Sequence, residues 1–415
     1  MTVPVQRLVA AVDLGSTKVT GVIGEVTGDA RSWGLRVLGV GTELSSGVRR
    51  GVIRDFEETV RAVTKAMKSA EKIAGLEVGT VYCGMSGVHT AQRISHGIAS
   101  VPGSEIRTAD LARVNDVACN VSFGQDQELL HAIPHDYRVD GEPGHGDPIG
   151  MTGERVEAEV YLITVRSSVV AHQRKAIEKA GWHVGEFVID PLAASLSVLT
   201  AEERETGVVL VELGAGSTSV AIFEGGKLRH TASLRFAGGH VTSDLVHGLQ
   251  VTQADAERIK ETYGGAFEAL VPEVEVIELP ASGGHPARRA PRKLVAHIMG
   301  MRLQEVLELA SDEVARAGWG SGVPVVLTGG GAATPGIVEL TRDVFAAPVR
   351  IGVPADGLRG LVNRVGSPGL AVPVGLALYG ARQVALGGGF GAGGRTSPAM
   401  ERVLGPVKRW LQDFF

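Results

Sequence analysis

One pattern occurs twice, in opposite halves of the 415-residue chain, and it limits the fold more than any other feature. Leu8 to Gly24 reads as an apolar strand, a tight polar turn and a second β-branched strand, and Val208 to Phe223 repeats that order. In both, an acidic residue (Asp13 or Glu212) ends the first strand. A glycine, Gly15 or Gly214, follows two places on, and small hydroxyl residues fill the turn. A supersecondary unit used twice implies two structurally similar halves.

A turn of Gly, Ser and Thr between strands points successive backbone N–H groups into one concavity, which suits phosphate oxygens. The first turn offers Gly15, Ser16 and Thr17, with Lys18 as a point charge; the second offers Gly214, Gly216, Ser217 and Thr218. Asp13 and Glu212 are placed to orient the water shell of a Mg²⁺, an ion that keeps most of its waters. Either motif alone is also an ordinary glycine-rich β-turn; recurrence in both halves favours a clamp that holds a triphosphate from two sides. A third element, Gly329-Gly330-Gly331 after an apolar run, lets backbone approach a ring or ribose where side chains would block it. With Gly238, Gly239 and a helix carrying Glu257 and Lys260, it completes a nucleoside pocket.

Composition excludes several classes. Hydrophobic residues make up 44% of the chain, enough for a sizeable core. A formal charge of −5 gives no general attraction to nucleic acid. Two cysteines, Cys83 and Cys119, support no disulfide framework and show no metal-ligand spacing, so they read as packing residues in a reducing compartment. The first residues do not read as a signal peptide, and no apolar run is long enough to span a bilayer. His131, His135 and His145 do not close on a metal and read as surface or structural residues; Arg288, Arg289, Arg292 and Lys293 read as a solvated basic loop.

Periodicity predicts helices over 56–74 (capped by Asp55), 108–121, 169–180, 192–199, 254–263 and 294–317, and strands over 80–83, 160–165 and 323–327. Residues 84–159 read as a small inserted α+β unit. The folded body ends near Ala385, followed by a glycine-rich linker whose r.m.s. span is about 20 Å. Beyond it Val407, Trp410, Leu411, Phe414 and Phe415 recur at helical spacing opposite charged residues, with Pro406 suited to the first helical position. That amphipathic helix is about 24 Å long at most, too short to span a bilayer and suited to lying flat on one. Docking on the protein's own body or on a partner is the alternative.

The ordered set of two phosphate hairpins, the helix start Asp190-Pro191-Leu192 and the late Thr-Gly-Gly-Gly turn resembles the actin, sugar-kinase and heat-shock-chaperone ATPase superfamily. Within it the chain is similar to the FtsA family of bacterial cell-division proteins. The stretches that carry this are Gly47-Val48-Arg49-Arg50-Gly51-Val52-Ile53, His131-Ala132-Ile133-Pro134, Ala254-Asp255-Ala256-Glu257-Arg258-Ile259-Lys260 and Val349-Arg350-Ile351-Gly352. The resemblance implies an α/β, two-lobed actin-like fold, a duplicated ribonuclease-H-like core with a small inserted α+β subdomain and a C-terminal amphipathic helix. It divides the chain into a first core subdomain (1–84 and 160–200), an insertion for self-association into filaments (85–159), a second core subdomain (201–235 and 318–385) and its outer subdomain (236–317). A linker (386–399) and a membrane-targeting helix (400–415) complete it.

The same resemblance implies ATP with Mg²⁺ between the halves, and a place on the cytoplasmic face of the cell membrane at the division site. The C-terminal tail of FtsZ would bind near Arg302 and Glu305, with other division proteins as further partners. Asp190 stands where relatives often carry a carboxylate that orients the attacking water, although a helix-initiating Asp-Pro is an equally adequate reading. Two departures matter: Glu212 stands where Asp is usual and Ala215 where Gly is usual. The longer carboxylate displaces the metal's water shell by about one methylene, so hydrolysis is expected to be slow or absent. Two other functions stay open. A soluble sugar or acetate kinase needs a substrate-binding acid in the first half that the sequence does not offer; a type IV pilus assembly adaptor lacks the linker and tail.

Overall fold

The computed structural model describes residues 7–29, 32–103, 105–281 and 286–387; the linker and the amphipathic segment carrying Val407, Trp410, Leu411, Phe414 and Phe415 lie outside these. Each predicted hairpin opens a sheet. In the first, Leu8–Leu14 pairs antiparallel with Lys18–Gly28, which pairs with Trp33–Leu44; on its other side Leu8–Leu14 runs parallel to Thr80–Met85, and that strand to His183–Ile189. In the second, Val208–Leu213 pairs antiparallel with Thr218–Glu224, which pairs with Lys227–Leu234, and runs parallel to Val325–Thr328 and then Val349–Ile351. Numbered within each half, these five strands have the order 3-2-1-4-5 in both sheets, the first sheet carrying a sixth strand, Leu358–Gly360, at its edge, so the sequence repeat is a repeat of topology.

The first hairpin strand of each half is buried along almost its whole length, because strands flank it on both sides and helices cover it. Phe56–Ala74 forms as expected: the Asp55 carboxylate accepts from the Glu58 N–H at 2.9 Å, and Gly75 ends the helix at φ 69°. Its small residues Ala62, Ala66 and Ala70, four apart, lie inward in the first half's core. Between the halves lie two helices, Asp190–Val198 and Ala371–Ala385, packed so closely that a Cβ on Gly375 would fall 1.8 Å from the Ala193 carbonyl oxygen.

Two differences from the sequence reading have physical reasons. Residues 358–385, grouped with the second half above, return to the first: Leu358–Gly360 pairs with Trp33–Leu44, and Ala371–Ala385 packs on the first sheet. That helix is buried on nearly every side, so it carries no amphipathic stripe to mark its neighbour. Arg288 to Lys293 is not a loop. Arg288–Pro291 pairs with Val276–Leu279, and a helix, Arg292–Arg316, begins at the next residue. Its cations are engaged, Arg292 with Glu275 at 2.8 Å, Lys293 with Glu273 and Arg288 with the Leu249 carbonyl at 2.6 Å.

Within the connection from Thr80–Met85 to His183–Ile189 sits a separate sheet of Thr90–Ser100, Arg155–Arg166, Gln127–Val139 and Glu142–His145, covered by the helix Thr108–Cys119 around its own apolar cluster. His131 and His135 on its strand Gln127–Val139 are not surface residues. His131 is buried, and its Nε2 accepts from the Ile189 N–H at 3.2 Å. His135 stacks on Tyr161 and bonds the Leu228 carbonyl at 2.8 Å.

Burial lowers the pKa of both rings to about 4. A base whose folded pKa lies below its unfolded value near 6.5 binds its proton first in the unfolded chain, so it removes stability as pH falls from 6.5 towards 4. We expect His131→Leu to cost about 1–3 kcal/mol at pH 7.5, because the Ile189 N–H is left unpaired. The same variant should show a smaller loss of stability on acidification than the parent. Urea unfolding across that pH range checks both, and an unchanged pH slope would contradict the assignment.

Candidate functional site

The two hairpins place their turns against each other. A Cβ added to Gly15 would meet the Lys18 carbonyl oxygen at 2.7 Å, and one added to Gly214 would meet the Ser217 carbonyl oxygen at the same 2.7 Å, so both turns need glycine for the same reason. The tips touch: a Cβ on Gly216 would lie 2.2 Å from Ser16 Oγ. The helix Gly238–Leu249 docks its start on the second turn, with the Gly238 N–H on the Gly214 carbonyl at 3.0 Å and the Gly239 N–H on that of Ala215 at 2.8 Å. Gly329, at φ 82°, brings the third loop onto Leu213, and beside it Gly330 faces open space.

These elements enclose a cleft of about 330 Å³ between the halves. Of the residues singled out from sequence, it is lined by Asp13, Gly15, Ser16, Thr17 and Lys18 of the first turn, by Glu212, Gly214 and Thr218 of the second, and by Gly238, Glu257, Lys260 and Gly329 to Gly331. Asp190, Gly216, Ser217 and Gly239 do not line it. Gly216 sits at the seam against Ser16, Ser217 Oγ lies 3.5 Å from Ser86 Oγ, and Gly239 braces the second turn. Arg302 and Glu305 lie on the other side of the helix Arg292–Arg316, in an open hollow of about 520 Å³, where Arg302 pairs with Asp244 at 2.5 Å and with Glu305.

Sequence reasoning missed the apolar wall of the cleft, Met299, Leu303 and Val306, although its spacing of four and three on a predicted helix was a readable stripe. It also missed Gly369, against which Lys18 Nζ rests, and Gly84. A Cβ on Gly84 would stand 2.7 Å from Asp190 Oδ1 and 3.5 Å from Asp13 Oδ1, so a side chain there would collide with Asp190 and touch Asp13.

Asp13, Asp190 and Glu212 form a buried acidic group. Burial raises the pKa of Asp13, and Lys18 partly offsets it. Burial and then the charge of Asp13 raise Glu212; burial, then Glu212 and Asp13, hold Asp190 well above the carboxylate range. Lys18 is lowered by burial against the pull of Asp13. Asp190 is the first residue of its helix, yet its Oδ1 has no hydrogen-bond partner. One lysine cannot neutralise three acids, and an unpaired buried oxygen beside them suits a cation with bound water. Among the described residues no three such side chains converge closely enough to ligate a metal directly. At the far end Lys260 donates to Glu257 at 2.6 Å and to Thr242 at 2.9 Å, a polar pair facing the apolar wall.

Comparison with known proteins gives the family. A model of the cell-division protein FtsA matches residues 209–375, and one of the SHS2 domain inserted in FtsA matches 87–164. The chain is 35% identical to the cell division protein FtsA of Pseudomonas aeruginosa over 414 residues, covering 99% of this chain and 98% of that one. It is 32% identical to that of Escherichia coli K12 over 419 residues, covering 99% of each. The chain belongs to the FtsA family. Membership supports a role in bacterial cell division, as the resemblance in the sequence implied.

Solved structures agree on the fold. The protein of a PilM–PilN type IV pilus biogenesis complex superposes with a TM-score of 0.62 at 17% identity, covering 89% of this chain and 97% of that one. MreB5 of Spiroplasma citri bound to AMPPNP superposes at 0.50 and 12%, covering 90% or nearly so of both, with 89% of this chain and 95% of that one. The fold is therefore the two-lobed actin-like α/β fold expected. No helix among the described residues is long and apolar enough to cross a membrane.

The raised carboxylates give a pH signature with the opposite sign to the histidines. An acid whose folded pKa lies above its unfolded value stabilises the fold at low pH and loses that contribution as pH rises through the folded value. Glu212→Gln should therefore flatten the fall in stability between about pH 5 and neutrality. Millimolar Mg²⁺ should restore stability to the parent and not to the variant. Thermal melts with and without the ion test this; an equal response of the two chains would remove Glu212 from the cation site.

Proposed function

We propose that this chain is a membrane-tethered, ATP-binding adaptor that polymerises and anchors the FtsZ ring to the inner face of the cell membrane. The observation that carries the reading is the convergence on one cleft of two duplicated phosphate turns, Lys18 and the acids Asp13 and Glu212, with Asp190 beside them outside the lining, in a chain of the FtsA family. In this reading the backbone N–H groups of Gly15 to Thr17 and Gly214 to Ser217 hold the β- and γ-phosphates. Lys18 pairs with them, and the base and ribose lie among Gly238, Glu257, Lys260, Met299 and Gly329 to Gly331. Asp13 and Glu212 orient water around the site, and Asp190 orients the attacking water. A bound Mg²⁺ supplies charge neutralisation of the triphosphate.

The insertion then mediates self-association, and the hollow at Arg302 and Glu305 takes the FtsZ tail. The C-terminal helix attaches reversibly through Val407, Trp410, Leu411, Phe414 and Phe415, with stable residence coming from the avidity of a polymer. The domain limits given from sequence belong to this reading, with residues 358–385 moved to the first half.

Two outcomes follow. Co-sedimentation with anionic liposomes should pellet the full chain, more so with Mg-ATP, and leave a chain ending at Ala385 in solution. Lys18→Ala should lose the ATP effect by weakening nucleotide binding about tenfold to a hundredfold while keeping basal membrane binding. If both chains stay soluble under every condition, the tethered reading fails. Glu212→Asp should raise phosphate release from ATP by about tenfold to a hundredfold, since a misplacement near 1 Å costs that much in positioning. An unchanged rate measured by malachite green would show that carboxylate length does not limit hydrolysis.

A further inference from the structure

Ser16 borders the cleft, and its hydroxyl also accepts the Arg50 N–H at 3.0 Å. Arg50 lines no part of the cleft. It sits in the turn between Val48–Arg49 and Val52–Ile53 at φ 52°, a left-handed conformation uncommon outside glycine. Two backbone hydrogen bonds and one side-chain contact involve each of its polar parts. Besides the bond to Ser16, its carbonyl takes a bond from His89 Nε2 at 2.9 Å, and its guanidinium stands 3.0 Å from His240 Nε2 in the second half.

That last contact is incomplete as it stands. His240 Nδ1 faces the Ala237 N–H at 3.2 Å, so the ring meets an N–H on both sides. A neutral imidazole has one acceptor nitrogen, and a protonated one has none. One of the two contacts therefore sets donor against donor, and an acceptor shared between Arg50 and His240 removes the conflict. Asp244, the carboxylate acting on this ring, does not supply it, because both its oxygens are on Arg302.

The surroundings are positive. His89 lies within reach of the charges of Arg54, Arg166 and Arg235, which add to burial in disfavouring its protonation. These arginines come from the Arg50 ribbon, the last residue of the inserted strand Arg155–Arg166 and the end of Lys227–Leu234. Among the described residues none of Arg50, Arg54, Arg166 and Arg235 has a carboxylate partner, whereas the helix Arg292–Arg316 pairs Arg292, Arg302 and Arg316 with acids. Exposed guanidinium groups placed around one seam without counter-charge attract an anion, and charge-assisted hydrogen bonds to them hold it.

We propose that this cluster is an oxyanion site of the phosphate class, separate from the cleft, in which the anion bridges Arg50 and His240 with Arg54, Arg166 and Arg235 around it. Bound there, the anion ties the first half to the second across the seam.

Calorimetric titration of the full chain with inorganic phosphate, without nucleotide, tests the site. One saturable site is expected, weakened about tenfold by Arg50→Asn, whose side chain tolerates the left-handed backbone, and by Arg235→Gln, which touches no backbone bond. Should Arg50→Asn not fold, Arg235→Gln carries the test. Lys18→Ala, which removes the cleft cation, should retain the phosphate isotherm. The proposal is overturned if Lys18→Ala abolishes binding while the arginine variants keep it, since the phosphate then sits in the cleft, or if no chain shows saturable binding. Glycerol phosphate distinguishes the source: tighter binding than inorganic phosphate assigns the site to a lipid headgroup, weaker binding to free phosphate.

Discussion

The approach of the helices Asp190–Val198 and Ala371–Ala385 fixes everything at the cleft. A glycine at 375 lets one helix press its backbone onto the carbonyl of Ala193, and the apolar cluster around them draws side chains from both sheets. Close-packed interiors have little freedom to adjust, so this contact sets the distance between the carboxyl ends of Leu8–Leu14 and Val208–Leu213. The phosphate turns leave those ends. Their contact at Ser16 and Gly216, and the burial of Asp13 and Glu212, follow from a packing event on the core side of the sheets.

The electrostatics follow from the same closeness. Carboxylates at the ends of two facing hairpins, with Asp190 from the intervening helix, are brought close together and largely withdrawn from solvent. Burial and mutual repulsion then favour their neutral forms, and Lys18 offsets only part of this. A folded chain that keeps such a group at neutral pH gains by taking up either protons or a cation. Ligand binding at the cleft is thus coupled to the state of the acids by ordinary charge balance.

The local parts of this design were readable in the sequence. The repeated strand–turn–strand pattern located both hairpins, the alanine and valine spacing located Phe56–Ala74 with its Asp55 cap, and the glycine triplet located the third loop of the cleft. Non-local parts were not. Parallel pairing of Leu8–Leu14 with Thr80–Met85 carries no turn to mark its register, and Leu358–Gly360 is too short for any period. Arg288–Pro291 looked like a solvated loop because its partners, Val276–Leu279 and the acids before them, lie across a stretch of sequence with little apolar content. The cleft residues named from motifs were mostly brought together. Of those absent from its lining, Gly216, Ser217 and Gly239 serve the contact between turns, a role that depends on how the halves meet, and Asp190 stands behind Gly84 next to Asp13.

The inserted sheet is tied into this geometry at two points on one strand. His131 of Gln127–Val139 accepts the N–H of Ile189, the residue before Asp190, while four residues on His135 bonds Leu228 of the second sheet. Both rings are buried and neutral, and Tyr161 on the neighbouring strand adds a third bond by accepting the Thr231 N–H at 3.1 Å. One rigid strand therefore reports on both walls of the cleft. A rotation of the halves that separates Asp190 from the second hairpin must either break one of these bonds or carry the inserted sheet with it. Each broken bond would leave a buried polar group unpaired at a cost of about 1–3 kcal/mol, so movement of the sheet is the favoured response.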